Sequence, residues 1–201
     1  MKLKEVKSLY AADASARQLL AVEYIGGSEA RVRYYVKREG SWWLLHRGNA
    51  YVGKNGLGKA AEGDARTPVG ELRPLFAFGI KPDPGSKLTY LRVKEGTLAC
   101  DSEGPWYNRI VDLNEADSSL AADSSLALRM TGERMWELSP EYDYGLQTDF
   151  NSACVYPQGS AIFIHCKGKK AWTGGCVALD MRMMRGILRT ADQGLRIFVY
   201  Q

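Results

Sequence analysis

The 201-residue sequence predicts a mainly β protein with a few short helices. Three observations predict it. Apolar and polar residues alternate with the period of two that a half-buried strand requires, glycines punctuate those runs, and only one stretch carries a clear helical period. Hydrophobic residues make up 45% and charged residues 25% of a 22.3 kDa chain, ordinary values for one globular domain with its own core.

The Ala-rich stretch 8–20 suits a short helix. From Gln18 the pattern turns to strand over Leu19 to Tyr24, then Gly26-Gly27 marks a turn. The next run, Ala30 to Val36, alternates Arg31 and Arg33 with Val32 and Tyr34; Gly40 ends it, and Trp42 to Leu45 reads as a third strand with His46 near its end. Residues 53–70 form a Gly-rich loop in which Lys59 is followed by Ala60, so the Ser or Thr of a phosphate loop is missing. Leu88 to Val93, Leu98 to Cys100 and Tyr142 to Phe150 read as short strands, with Tyr142 and Tyr144 as packing residues. Residues 112–140 read as a loop with a helical piece around Ala127 to Trp136. Ala161 to Ile164 is a continuous apolar run fit for a buried strand, ending at His165. Beyond a Gly- and Lys-rich loop, Asp180 stands as an N-cap before Met184, Ile187, Leu188 and Ala191, one face of a helix that Gly194 stops. Leu195 to Tyr200 closes the chain as a strand.

The net charge of +4 is unevenly spread: 11 basic and 5 acidic groups over residues 1–59, 9 and 16 over 60–164, and 7 and 2 over 165–201. The four cysteines, at 100, 154, 166 and 176, contain no CxxC pair, which argues against a zinc ribbon and leaves room for at most a bridge such as Cys100 to Cys154. No stretch approaches the ~20 apolar residues of a membrane span, and the start carries no secretory apolar run. A mild net charge without a recognised motif argues against nucleic-acid binding.

With only His46 and His165 available, imidazole chemistry has two places to look. His165 closes a buried strand, and Cys176 follows eleven positions later behind Gly174 and Gly175. A thiol becomes a nucleophile when an imidazolium or a helix N-terminus stabilises its thiolate, and the glycines would leave room for a substrate carbonyl and expose N–H groups as an oxyanion hole. Cys166 adjoins His165 but points to the opposite face of the strand.

These residues resemble a known family. His165 followed by Thr173-Gly174-Gly175-Cys176-Val177-Ala178-Leu179 is similar to the signature of L,D-transpeptidases of the YkuD type, and Gly63-Asp64-Ala65-Arg66-Thr67-Pro68-Val69-Gly70 resembles the same family's Gly-Asp-x-x-Thr-Pro-x-Gly stretch, about a hundred residues upstream. The likeness covers residues 18–201 and leaves 1–17 as an N-terminal extension. It departs at Ala178, where the family usually has Arg, and at Gly174, where it often has His.

The resemblance implies a β-sandwich-like catalytic domain that acts without a cofactor on peptidoglycan stem peptides, outside the cytoplasmic membrane in periplasm or cell wall. Cys176 is then the nucleophile that expels a terminal D-amino acid from a tetrapeptide stem, His165 the base that holds it as thiolate, and the backbone N–H of Gly175, with Gly174, the oxyanion site. An amine acceptor gives a cross-link and water gives a carboxypeptidase or amide hydrolase; a silent wall-binding module on the same fold is the reading from another class. Trp172, Thr173, Tyr107, Asn108 and Lys167 are the substrate-binding candidates. Lys167, Lys169 and Lys170, with Arg182, Arg185 and Arg189, either draw an anionic glycopeptide to the site or form a solvated basic face. The sequence leaves the oligomeric state open.

Overall fold

In the computed structural model, residues 1–114 and 130–201 are described. The elements are α1 (Leu3–Leu9), β1 (Gln18–Gly26), β2 (Glu29–Arg38), β3 (Ser41–Tyr51), β4 (Gly70–Leu72), β5 (Pro74–Gly79), β6 (Tyr90–Arg92), β7 (Thr97–Cys100), β8 (Ile110–Asp112), β9 (Gly132–Arg134), a 3-10 turn (Met135–Glu137), β10 (Gly145–Thr148), β11 (Phe163–Cys166), β12 (Val177–Leu179), α2 (Met181–Thr190) and β13 (Leu195–Tyr200). Ten strands form one mixed sheet in the order β4-β13-β1-β2-β3-β12-β11-β10-β5-β6, and β8-β7-β9 form a second, smaller one. The fold is mainly β and β-sandwich-like, as the sequence predicts.

Side-chain alternation decides what each face meets. Leu20 and Val22 of β1 and Leu195, Ile197 and Val199 of β13 enter the main core with Tyr34, Ile164 and Leu179, while Leu19, Ala21 and Tyr200 face the other way. Leu72 of β4 and Ala77 of β5, near opposite ends of the sheet order, share that one core, so the sheet curls on itself, and Met184, Ile187 and Leu188 of α2 enter the same core. The outward face of β1 and β13 is covered by Val6, Tyr10 and Ala16. Residues 1–17, set apart by sequence as an extension, are thus packed on the domain. A third cluster, Phe78, Val93, Ala99, Met135, Tyr142, Phe163 and Cys176, fills the space between the two sheets.

Several expectations need correction. The helix foreseen over 8–20 is instead α1, because the Asp13 carboxylate accepts the N–H and hydroxyl of Ser15 at 2.8 and 2.6 Å, a local turn that competes with helix. Tyr142 lies in a turn before β10 rather than in a strand. The helical piece placed around 127–136 falls partly outside the described residues; within them, Gly132 to Arg134 pairs with β7 as a strand, as the poor helix propensity of glycine favours. The third strand runs on to Tyr51, so His46 is internal, half-buried and stacked on Tyr34 at 6.2 Å. Helix α2 forms as expected, but the Asp180 side chain makes no capping bond and pairs with Lys167 at 3.3 Å. All four cysteines are free thiols, so the Cys100 to Cys154 bridge is not formed. Among the described residues no helix is long and apolar enough to cross a membrane.

Candidate active site

Strands β11 and β12 lie side by side and parallel, with His165 paired to Ala178, two positions beyond Cys176. The return loop between them is sewn to the segment after β3: Thr173 donates its N–H to the Val52 carbonyl at 3.0 Å and its carbonyl accepts from Lys54 at 2.9 Å. This brings the two chemistry-bearing residues to one cleft of about 390 Å³, also lined by Lys59, Glu133, Tyr142, Lys170 and Trp172. Cys166 projects to the other side, into the main core, where its thiol faces the Tyr144 carbonyl.

The two motifs meet at Cys176. The Cys176 carbonyl accepts the Thr173 hydroxyl at 2.7 Å and the Thr67 hydroxyl at 3.3 Å, while Thr67 also accepts the Gly53 N–H at 2.8 Å. Thr67 is held by its own loop. Asp64 there accepts the N–H groups of Ala60, Ala61 and Arg66 and the Lys59 ammonium. Partial burial raises the carboxyl, but these donors outweigh it and bring it down to about 2. Gly175 has φ +149, and a Cβ there would stand 2.8 Å from the Arg66 carbonyl oxygen, so close approach of the two loops requires glycine. At Gly174 a Cβ would meet nothing within 4 Å.

The His165 ring is oriented by backbone. Its Nδ1 lies 2.7 Å from the Cys166 carbonyl oxygen, which can only accept, so Nδ1 carries the hydrogen of the neutral ring and Nε2 is left as the base. Burial lowers the His165 pKa, partly offset by that carbonyl and by Glu141. Burial also pushes the Cys176 thiol up to about 12, with Glu133 adding to the rise and the Phe163 N–H and Lys59 opposing it. The resting pair is therefore a neutral thiol and a neutral imidazole, where the sequence suggested a standing thiolate. Among the described residues no hydrogen bond joins them: the thiol donates to the Ala161 carbonyl at 3.1 Å and accepts the Phe163 N–H at 3.2 Å. Ala161 has φ +51, costly for a residue with a Cβ, and Asn108 holds it there by accepting its N–H at 2.9 Å.

The other candidates divide. Trp172 lines the cleft, with the Lys54 and Lys170 ammonium groups over its ring at 5.3 and 4.7 Å. Thr173 lines it too, but its hydroxyl is spent on Cys176 and on the Gly175 N–H, which it accepts at 3.1 Å. That bond removes the Gly175 N–H from oxyanion duty; the Cys176 N–H has no partner among the described residues and is the better candidate donor. Tyr107 is fully buried, its hydroxyl donating to Glu62 at 2.6 Å and accepting from the Gly159 N–H at 2.8 Å. Asn108 is spent on Ala161, Phe150 and Asn151. Both support the 159–161 segment and do not line the cleft. Lys167 also lies away from it, paired with Asp180 and set over the Tyr51 ring at 4.9 Å. Sequence alone did not single out Thr67 as a support of the Cys176 carbonyl or Glu133 and Tyr142 as cleft walls; for Thr67 the signal was present in the Gly63-Asp64-Ala65-Arg66-Thr67-Pro68-Val69-Gly70 stretch.

Among the described residues no three His, Cys, Asp or Glu side chains are grouped to hold a metal ion. What the arrangement defines is a mainly β protein with a thiol and an imidazole in one open cleft. No family model matches the chain, and no curated protein matches it. Among solved structures it is similar to Bd1075 of Bdellovibrio bacteriovorus, with a TM-score of 0.48 and 11% identity over 94% of this chain and 49% of that one. The chain thus spans about half the length of that protein.

Proposed function

We propose that the protein is a cysteine-dependent acyltransferase of the L,D-transpeptidase kind, acting on peptidoglycan tetrapeptide stems outside the cytoplasmic membrane. The observation that carries this reading is that Cys176 lines the same cleft as His165, an imidazole whose Nδ1 is fixed on the Cys166 carbonyl. In the first step the Cys176 sulfur attacks the stem carbonyl carbon as its proton passes to His165 Nε2. The oxyanion forms at the Cys176 N–H. Collapse breaks the C–N bond, His165 returns the proton to the leaving amine, and a terminal D-amino acid departs from the thioester. An acceptor amine then attacks the thioester, gives its proton to Nε2 and releases the Cys176 thiol. Because thiol and imidazole are both neutral at rest, the proton leaves Cys176 for Nε2 in the same step in which the sulfur attacks the bound carbonyl. Lys170, beside Trp172 on the cleft wall, suits the carboxylates of a stem peptide.

Incubation with a disaccharide tetrapeptide, with dimers separated from tripeptide by mass, tests the reading. Cross-linked dimers support transfer to an amine, tripeptide alone assigns water as acceptor and makes the protein a carboxypeptidase, and absence of both overturns catalysis on stems. A carbapenem adduct on Cys176, lost in Cys176→Ala, excludes a silent binding module.

A further inference from the structure

The two sheets frame a second cavity, of about 360 Å³, walled by Phe76 and Gln147 of the main sheet and by Ile110 and Val111 of β8, with Trp106 and Phe150 beside them. Among the described residues it shares no lining residue with the cleft of Cys176 and His165. Two of its polar groups bond to nothing. Gln147 is only 5% exposed, yet its Oε1 is sealed from solvent without a hydrogen-bond partner, and its Nε2 bonds to no described residue. Because Oε1 is the sealed atom, Nε2 is the end of the amide that faces the cavity. Arg109, also on the wall, is exposed and has no ion-pair partner among the described residues. The neighbouring polar groups are spent: the Thr148 hydroxyl donates to the Ile162 carbonyl at 2.6 Å, and Asn108 holds the Phe150 and Asn151 carbonyls at 3.0 and 2.8 Å, which fixes this side of the cavity. A buried amide left unbonded destabilises a fold, and such local violations gather where a ligand binds.

We propose that this cavity is a second binding site, for an N-acylated apolar amino acid with a free carboxylate. Nε2 of Gln147 is a donor, so the group it meets is an acceptor, the acyl carbonyl. Arg109 is a guanidinium without a counter-charge, and its fork matches a carboxylate in two parallel bonds. Between these two polar groups the ligand must be apolar, because Phe76, Ile110, Val111 and Phe150 offer it surface and no side-chain hydrogen bond. The volume lies in the range of small-molecule pockets. A free N-acyl amino acid and the last residue of a peptide chain present the same three groups.

The site stands apart from the chemistry of Cys176, and it carries its own reporter, since the half-buried free thiol of Cys154 lines the cavity. Calorimetric titration of the full chain with racemic N-acetylphenylalanine should give a Kd of about 0.1–1 mM. At about 10 mM the same compound should slow iodoacetamide labelling of Cys154 about fivefold or more and leave Cys176 unaffected. Fragmentation of tryptic peptide 135–167 separates Cys154 from Cys166, and peptide 171–182 holds Cys176 alone. N-acetylphenylalaninamide, which lacks the carboxylate, should bind about tenfold more weakly, and Arg109→Ala should erase that difference. Gln147→Met keeps the volume and removes the amide, so binding should weaken about threefold while Tm rises by about 2–4 °C, because an unbonded buried group is gone. A merely structural glutamine would give a lower Tm instead. Acetyl-Ala-Ala-Phe distinguishes the sources: binding at least as tight as that of N-acetylphenylalanine assigns a peptide end, and weaker binding assigns the free N-acyl amino acid. Absence of both heat and Cys154 protection, protection of Cys176 in its place, equal affinity of the parent chain for acid and amide, or a lower Tm in Gln147→Met overturns the proposal.

Discussion

Removing the two threonine hydroxyls that share the Cys176 carbonyl should cost more together than the sum of the parts. In Thr67→Val the buried Gly53 N–H loses its acceptor, a penalty of about 1–3 kcal/mol, while the carbonyl keeps Thr173 at 2.7 Å. In Thr173→Val the Gly175 N–H is orphaned at similar cost and the shorter of the two bonds to the carbonyl is lost, so about 3 kcal/mol is expected. Only the double variant leaves the carbonyl with neither hydroxyl, which adds about 1–2 kcal/mol of coupling. Denaturant unfolding of the parent, both singles and the double closes the cycle. At about 2–4 °C per kcal/mol for a chain of this size, each single should also lower Tm by several degrees. Additivity within about 0.5 kcal/mol would refute the shared-acceptor argument, because it would mean that the carbonyl never depended on both hydroxyls.

The neighbouring glycines should respond oppositely to the same change: Gly175→Ala meets the Arg66 carbonyl oxygen at 2.8 Å and Ile162 at 2.9 Å on a left-handed backbone, so a loss of about 1–3 kcal/mol is expected, whereas Gly174→Ala meets nothing and should leave Tm within about 2 °C. Equal shifts would remove the close-approach reading. Asp64, brought from an ordinary 3.8 to about 2 in the folded state, contributes about 2 kcal/mol that is fully present above pH 4 and fades as pH falls through the folded value. Asp64→Asn should therefore be less stable than the parent by that amount at pH 7 and nearly equal to it near pH 2; a constant gap in urea titrations at both pH values would contradict the assignment.

Cys176 and His165 were legible as candidates in sequence because both sit where local pattern is strongest, a Gly-Gly turn and an apolar strand end. The wrongly placed candidates share a different property. Tyr107, Asn108 and Lys167 are polar residues that stand away from the cleft, and whether such a group meets substrate or spends itself inside the protein depends on partners far along the chain, such as Glu62 for Tyr107 and Phe150 for Asn108. The cleft wall was missed for the same reason. Glu133 arrives from the small sheet and Tyr142 from a turn, and only their approach across the third cluster makes them a pair.

The alternation of apolar and polar residues by itself determined that the chain is built of strands, where most of them run and which side chains leave each face, because strand period and turn chemistry are local. It also placed helix α2 and the closing strand β13. Tertiary structure alone decided the order of ten strands, the parallel joining of β1 to β13 and β11 to β12, and the docking of residues 1–17. It alone decided, too, that Cys176 rests as a thiol and His165 as a neutral ring. Protonation follows desolvation and fixed charges contributed by distant segments, and no local pattern encodes how much water those segments exclude.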